Sequence, residues 1–405
     1  MTDGRKGNKK NEKAVTCCGK PKEDLQKMPS CQSSVTAEDD RLGNEDAPCN
    51  DGINRSRPRL KKIAFFDNKP YDRRSFDDVN KKYGYDIVYF HDKLNKHTVN
   101  LANGFDAVCI FVNDIVDKDM VEALLKNGVR LIVLRCAGYN NVALESVYGK
   151  IHVARVPAYS PYAVAEHTVA LLLTLNRKTH KAYNRVRDGN FSIDGFLGVD
   201  LFGKTAGIIG TGQIGKRLIS ILKGFGMKIL AYEPKPDEEY AKKENIKYVP
   251  REEIYKNADV ISLHCPLVPE TYHLINDEAI GLMKKGVVML NTGRGGLIDT
   301  KALIAGLKKG LIGAAGLDVY EEESEYFFED FSSTIIKDDV LARLLTFPNV
   351  LITSHQAFFT KEALYNIATT TLDNVKEFFD GGYLKNEICY RCNKPCRKKQ
   401  GERCF

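Results

Sequence analysis

No stretch of this chain is apolar for long enough to cross a bilayer. The longest apolar helical run, around Val169 to Leu175, falls well short of the ~20 residues a spanning helix needs. The opening residues, MTDGRKGNKKNEK, contain no apolar h-region. No secretory signal is therefore expected, and the compartment is read as cytoplasmic. In that compartment the 11 cysteines are expected as thiols. Cys109, Cys136 and Cys265 stand in apolar surroundings and read as small core residues. The others lie in two tails: Cys17, Cys18, Cys31 and Cys49, then Cys389, Cys392, Cys396 and Cys404. The spacing from Cys389 to Cys396 is that of half a zinc site, with Cys404 as a fourth ligand, but a well-spaced second half is missing. An unstructured tail is favoured over zinc binding or redox sensing, so no resident metal is expected. The net charge is +7, and from Arg391 onward there are six basic residues and one acid. A run of this kind is read as a solvated tail, with neither nucleic acid nor a membrane surface as partner.

What is present suits a folded protein of two domains. The 405 residues are 43% hydrophobic and 28% charged, as in soluble globular proteins. Residues 1–58 are polar, carry both charge signs and hold few aromatics, so they are expected to be disordered. From Ile63 short apolar runs alternate with helical or polar stretches: Ile63–Phe66, Ala107–Val112, Leu131–Leu134 and His152–Val156. That alternation predicts a parallel α/β unit. Pro157 to Pro161 breaks it and leads into a helix over Ala163–Arg177, apolar nearly all round. Such a helix is buried, in a core or in a subunit interface. A second series of strands is expected at Val260–Leu263, Val287–Leu290, Ala314–Leu317 and Val350–Ile352. The last helix, Lys361 to Asp380, is expected to return to the first unit. The fold class is therefore α/β: two doubly wound parallel-sheet, Rossmann-like domains with a cleft between them. The expected division is a first domain at 59–160 and 357–386, a second at 161–356, and a basic Cys-rich tail at 387–405.

The strongest local signal is Gly210-Thr-Gly212-Gln213-Ile214-Gly215. It follows an apolar strand, precedes a helix-period pattern, and is followed by a second strand ending at Glu233. Strand, glycine-rich turn, helix, strand and acid in this order form the dinucleotide fingerprint in its required context. The glycines admit a pyrophosphate to a helix N-terminus. Glu233 is placed to accept from ribose hydroxyls and to repel a 2′-phosphate, which favours NAD over NADP, although Lys235 lies close by.

Three further segments each follow a strand end, where ligands bind in open α/β sheets. Arg294 sits among glycines and offers a planar fork for a carboxylate. Asp318 opens a run of acids with Glu321, Glu322 and Glu323, for which a solvated charge run is the plain alternative. His355 follows the last strand and can exchange protons near neutral pH; a neighbouring carboxylate would hold such a ring and favour its charged form. The other histidines read as structural, with His264 nearest the cofactor. A cation, an acid/base pair and a hydride carrier make the kit for reducing a 2-oxo acid. In that kit His355 protonates the carbonyl oxygen and Arg294 holds the carboxylate.

These motifs resemble the D-isomer-specific 2-hydroxyacid dehydrogenases, and within them the bacterial fermentative D-lactate dehydrogenases. The likeness runs from about Ile63 to Asn386 and includes Leu134-Arg-Cys-Ala-Gly-Tyr-Asn-Asn141, Val156-Pro-Ala-Tyr-Ser-Pro161, Ala163-Val-Ala-Glu-His167, Gly203-Lys-Thr-Ala-Gly207 and Ile261-Ser-Leu-His-Cys-Pro266. The resemblance implies catalytic roles for Arg294, His355 and Glu323, with Glu323 pairing the histidine. It implies that the loop at Gly138 and Tyr139 binds the substrate carboxylate through backbone N–H groups, and that Tyr159 and Phe358 line the substrate pocket. On the cofactor side it implies Asp318 at the nicotinamide carboxamide, with His264 and Thr292 nearby. It further implies D stereochemistry and at least a homodimer, or a dimer of dimers. Two departures stand out. Glu233 replaces the usual Asp, and Tyr162 and Phe359 are expected to crowd the cleft. Corepressors that share this fold carry a tryptophan near the histidine, and this chain has none. Formate dehydrogenases carry Gln where Glu323 stands, and L-lactate dehydrogenases place the glycine fingerprint near the N-terminus.

Overall fold

The computed structural model describes residues 60–323 and 326–390. The expected disorder over 1–58 and nearly all of the Cys-rich tail lie outside the described residues. Two parallel sheets organise the described chain. The first has five strands: β1 (Lys62–Phe65), β2 (Asp86–Tyr89), β3 (Ala107–Ile110), β4 (Leu131–Leu134) and β5 (His152–Arg155), in the order β2-β1-β3-β4-β5. Of these β2 is an edge strand, with no fully buried residue and with Val88 exposed. The four inner residues of β3 and of β4 are wholly buried, as parallel strands covered on both faces must be.

The second sheet has seven strands: β6 (Thr205–Ile209), β7 (Lys228–Tyr232), β8 (Lys247–Tyr248), β9 (Val260–Leu263), β10 (Val287–Asn291), β11 (Ile312–Leu317) and β12 (Val350–Ile352). Their order is β12-β11-β10-β9-β6-β7-β8, all parallel. The strand order reverses between β6 and β9, and this switch point opens a crevice beyond the strand ends.

Two helices matter most for the site. Lys361–Phe379 packs against the first sheet, placing Ile367, Leu372, Val375 and Phe378 in its core. Pro161–Arg177 starts with Pro at its first position and Ser160 as cap, the Ser160 hydroxyl accepting from the Ala163 N–H. Its apolar girth is satisfied within the chain. Ala165, Leu171, Leu172 and Leu175 pack with Ile208, Leu218 and Leu290 between the second sheet and helix Gln213–Gly224. Of the two settings expected for this helix, a core or a subunit interface, the buried face takes the first: the covering surface is the chain's own. Large exposed apolar side chains cluster instead just beyond it, at Phe191, Ile193, Leu197 and Phe202, with Leu197 90% exposed.

Candidate active site

The dinucleotide turn is built by steric exclusion. Gly210 has φ +98°, and a Cβ there would lie 2.5 Å from the Cys265 nitrogen and the His264 carbonyl carbon. A Cβ on Gly215 would lie 2.1 Å from the Gly210 oxygen, so helix and turn pack only with glycine. Gly212 differs, since nothing lies within 4 Å of its Cβ position. That open side is where a pyrophosphate would approach the helix N-terminus at Gln213, which has no side-chain cap. The residues present therefore fit a dinucleotide. Ile214 lines the adjoining cleft, whereas Gln213 lines an outer groove with Pro161 and Lys216. Glu233 turns back on the loop: its Oε2 accepts from the Thr211 N–H at 2.7 Å, and the Thr211 hydroxyl contacts Tyr248. The longer glutamate, directly after β7, thus braces the turn.

A cleft of about 500 Å³ lies between the two sheets. Gly138, Tyr139, Tyr159, His264, Thr292, Arg294, Asp318, His355 and Phe358, all singled out from the sequence, line it together. Glu323 stands behind the histidine. Its Oε1 lies 2.8 Å from His355 Nδ1, and its Oε2 accepts from the Tyr320 N–H at 3.1 Å. With Nδ1 engaged, Nε2 is the ring nitrogen left to exchange a proton. His355 itself has φ +51°, a strained backbone for a residue with a Cβ.

Asp318 holds that strained turn. It is wholly buried; its Oδ1 accepts from the Thr353 hydroxyl at 2.5 Å and from the Gln356 N–H at 2.9 Å, and its Oδ2 accepts from the Ala357 N–H at 2.8 Å. Its carbonyl accepts from the His355 N–H at 2.7 Å. The carboxylate expected at the carboxamide is thus largely committed to the histidine turn. The acids after it do not form a surface charge run. Glu321 pairs with His273 at 2.6 Å and caps Thr300, while Glu323 serves His355.

Arg294 is aimed from β10. Asn291 clamps its loop, donating to the Arg294 carbonyl and accepting from the Gly293 N–H. A Cβ on Gly295 would lie 2.1 Å from the Tyr320 carbonyl, so the Arg294 loop rests directly on the loop that carries Glu323. The Arg294 Nη2 lies 3.1 Å from the Cβ position of Gly138. Among the described residues the N–H groups of Gly138 and Tyr139 have no hydrogen-bond partner. Unpaired donors beside a guanidinium have the chemistry to hold a carboxylate.

His264 bonds the Ser262 hydroxyl through Nε2 at 2.8 Å, and loss of hydration lowers its pKa to about 4. It is a neutral wall of the cleft. Thr292 lines the cleft too, with its hydroxyl paired to Thr168. Tyr162 and Phe359 do not line it: Tyr162 lies outside under Arg217, and Phe359 packs on Tyr71. Sequence reasoning missed Arg155, a cation in the cleft wall. Its position at the C-terminal end of β5 was the available signal.

An anion cradle at a switch point, a guanidinium beside unpaired amides and a carboxylate-held histidine are together consistent with a nicotinamide-dependent oxidoreductase of 2-hydroxy acids. Residues 169–357 match the model of the D-isomer specific 2-hydroxyacid dehydrogenase NAD binding domain. The D-lactate dehydrogenase of Escherichia coli is 48% identical over 328 residues, covering 81% of this chain and 99% of that protein. Its apo structure matches with a TM-score of 0.74 at 47% identity, covering 81% of this chain and 99% of that chain. The 2-hydroxyacid dehydrogenase homolog 2 of Schizosaccharomyces pombe is 51% identical over 322 residues, 78% of this chain and 96% of that protein. A D-lactate dehydrogenase with NAD+ from Lactobacillus jensenii matches with a TM-score of 0.67 at 31% identity, covering 79% of this chain and 97% of that chain. The chain belongs to the D-isomer-specific 2-hydroxyacid dehydrogenase family; it is an NAD-dependent enzyme of that family. No helix among the described residues is long and apolar enough to cross a membrane.

Proposed function

We propose that the enzyme interconverts pyruvate and D-lactate. When bound, NADH supplies the hydride for the carbonyl carbon. The chain's own residues do the rest. Arg294 and the N–H groups of Gly138 and Tyr139 hold the carboxylate, which fixes the carbonyl carbon in place. His355, as imidazolium, gives the Nε2 proton to the carbonyl oxygen, and Glu323 orients the ring and stabilises its charge. In reverse, neutral His355 accepts the hydroxyl proton. The observation that carries this reading is the His355–Glu323 pair at 2.8 Å in one cleft with Arg294.

Pyruvate is favoured by an aromatic wall. Tyr159 meets Phe358 edge-on at 6.2 Å, and Phe111 and Phe328 back it. Such a wall suits a methyl group, although one methylene discriminates by only about 1–3 kcal/mol. Glyoxylate, hydroxypyruvate or a bulkier 2-oxo acid is the alternative substrate. The domain division proposed is 59–160 with 357–386, and 161–356. A second copy is proposed to cover the exposed apolar residues from Phe191 to Phe202.

The test is NADH oxidation against a panel of 2-oxo acids, with the product assayed by D- and L-specific enzymes. Fast formation of D-lactate is expected. A larger acid that beats pyruvate tenfold in kcat/KM would refute the substrate. His355→Ala should lower kcat heavily and leave NADH affinity near normal; an unchanged kcat would remove His355 from the scheme.

A further inference from the structure

Arg155 has no place in the mechanism above, yet it sits against the carboxylate loop. Its Nη1 donates to the Ala137 carbonyl at 2.7 Å, and its guanidinium lies 4.9 Å over the Tyr139 ring. The root of the side chain is fixed, because the Arg155 N–H donates to the Asn386 carbonyl and its own carbonyl accepts from Asn374. No carboxylate pairs with Arg155 among the described residues.

The geometry of a peptide unit gives this contact its meaning. The Ala137 carbonyl and the Gly138 N–H belong to one planar trans peptide and point in opposite directions. A donor pulling the carbonyl toward β5 therefore aims the N–H the other way, away from Arg155. It also polarises that N–H, since hydrogen bonds in a chain strengthen one another. The next peptide is held likewise. The Cys136 thiol donates to the Gly138 carbonyl at 3.3 Å, and that peptide ends in the Tyr139 N–H. Burial pushes the Cys136 thiol up to about 12, so it keeps its proton. Each of these two unpaired N–H groups thus has a donor on the carbonyl of its own peptide unit.

We propose that Arg155 is a positioning residue for 2-oxo acid binding: from behind the loop it aims and polarises the Gly138 N–H at the substrate carboxylate. This rests on the reading of Gly138 and Tyr139 as the carboxylate site. Arg155→Met keeps the length of the side chain and removes its donors. It should raise KM for pyruvate about tenfold, the loss of roughly one good hydrogen bond, while kcat changes less than threefold and NADH affinity stays put. Binding of oxamate to the NADH-loaded protein should weaken in parallel, and added guanidinium ion should restore part of the KM. Arg155→Lys retains one donor and should fall between the two. Cys136→Ala should shift KM the same way by less, because a thiol is a weak donor. A folded Arg155→Met protein with wild-type KM and oxamate affinity would overturn the proposal. If that variant does not fold, wild-type values in both Arg155→Lys and Cys136→Ala would overturn it equally. A wild-type protein that turns over no 2-oxo acid would instead defeat the parent reading, and oxamate affinity would still report on Arg155.

Discussion

Replacing Asp318 by Asn separates two roles for one carboxylate. In this structure Asp318 accepts two backbone N–H groups and one hydroxyl with no exposure to solvent. Asparagine offers one oxygen and one NH2. Turned one way, the NH2 faces the Ala357 N–H; turned the other way, it faces the Gln356 N–H. At least one buried backbone donor loses its acceptor and meets another donor. Hydrogen bonds to charged groups contribute about 1.5–3 kcal/mol, and a buried unsatisfied group costs about 1–3 kcal/mol. A net loss of about 2–4 kcal/mol follows, or roughly 5–10 °C in the unfolding midpoint of a lobe this size. The same turn holds His355 at φ +51°. A relaxation of about 1 Å there should lower kcat about 100-fold. The assays are thermal unfolding and steady-state kinetics. If Asp318 served only the nicotinamide carboxamide, Asp318→Asn would weaken NADH binding and leave stability alone. Wild-type stability combined with wild-type kcat would refute the turn argument altogether.

Three shorter predictions follow from other parts of the site. Arg294→Lys should chiefly raise KM for the keto acid, because a point charge cannot form the planar fork; normal kinetics would make Arg294 structural. His264→Gln should flatten the acid limb of the stability curve. The folded pKa of about 4 lies below the free value of 6.5, so the unfolded chain binds the extra proton between them and stability falls as pH falls through that window, by at most about 3 kcal/mol. Urea titrations at pH 4.5 and 7 read this, and an unchanged slope would show that His264 is not desolvated. Leu197→Asp should convert a dimer to monomer in sedimentation, and a monomeric wild type would refute self-association through this surface.

The parts of the site legible in the sequence are those where one residue type meets one steric demand. Gly210 and Gly215 were readable because any side chain there collides with backbone. The all-buried strands β3 and β4 were readable because burial on both faces leaves an unbroken apolar run. What escaped were assignments that depend on neighbours distant in sequence. Glu321 and Glu323 lie in one acidic run, yet they turn to different histidines, His273 and His355. The Pro161–Arg177 helix read as buried, but nothing local distinguishes a partner subunit from the chain's own sheet. Tyr162 and Phe359 lie within a few positions of cleft residues and yet pack elsewhere, on Arg217 and Tyr71, since orientation depends on rotamer and packing. Arg155 is an ordinary strand-terminal arginine until the Ala137 carbonyl, 18 positions earlier, folds against it.

The close rest of Gly295 on the Tyr320 carbonyl has a mechanical consequence. It welds the arginine, the glutamate and the histidine into one block hung from β10, β11 and β12, while the Gly138 and Tyr139 amides hang from β4 on the other sheet. On the proposed reading, a substrate carboxylate gripped by both would be a rivet between two plates. The two plates already meet where the Arg294 guanidinium faces Gly138, so a small carboxylate that fills only the rivet hole should pin them against each other without ever being turned over.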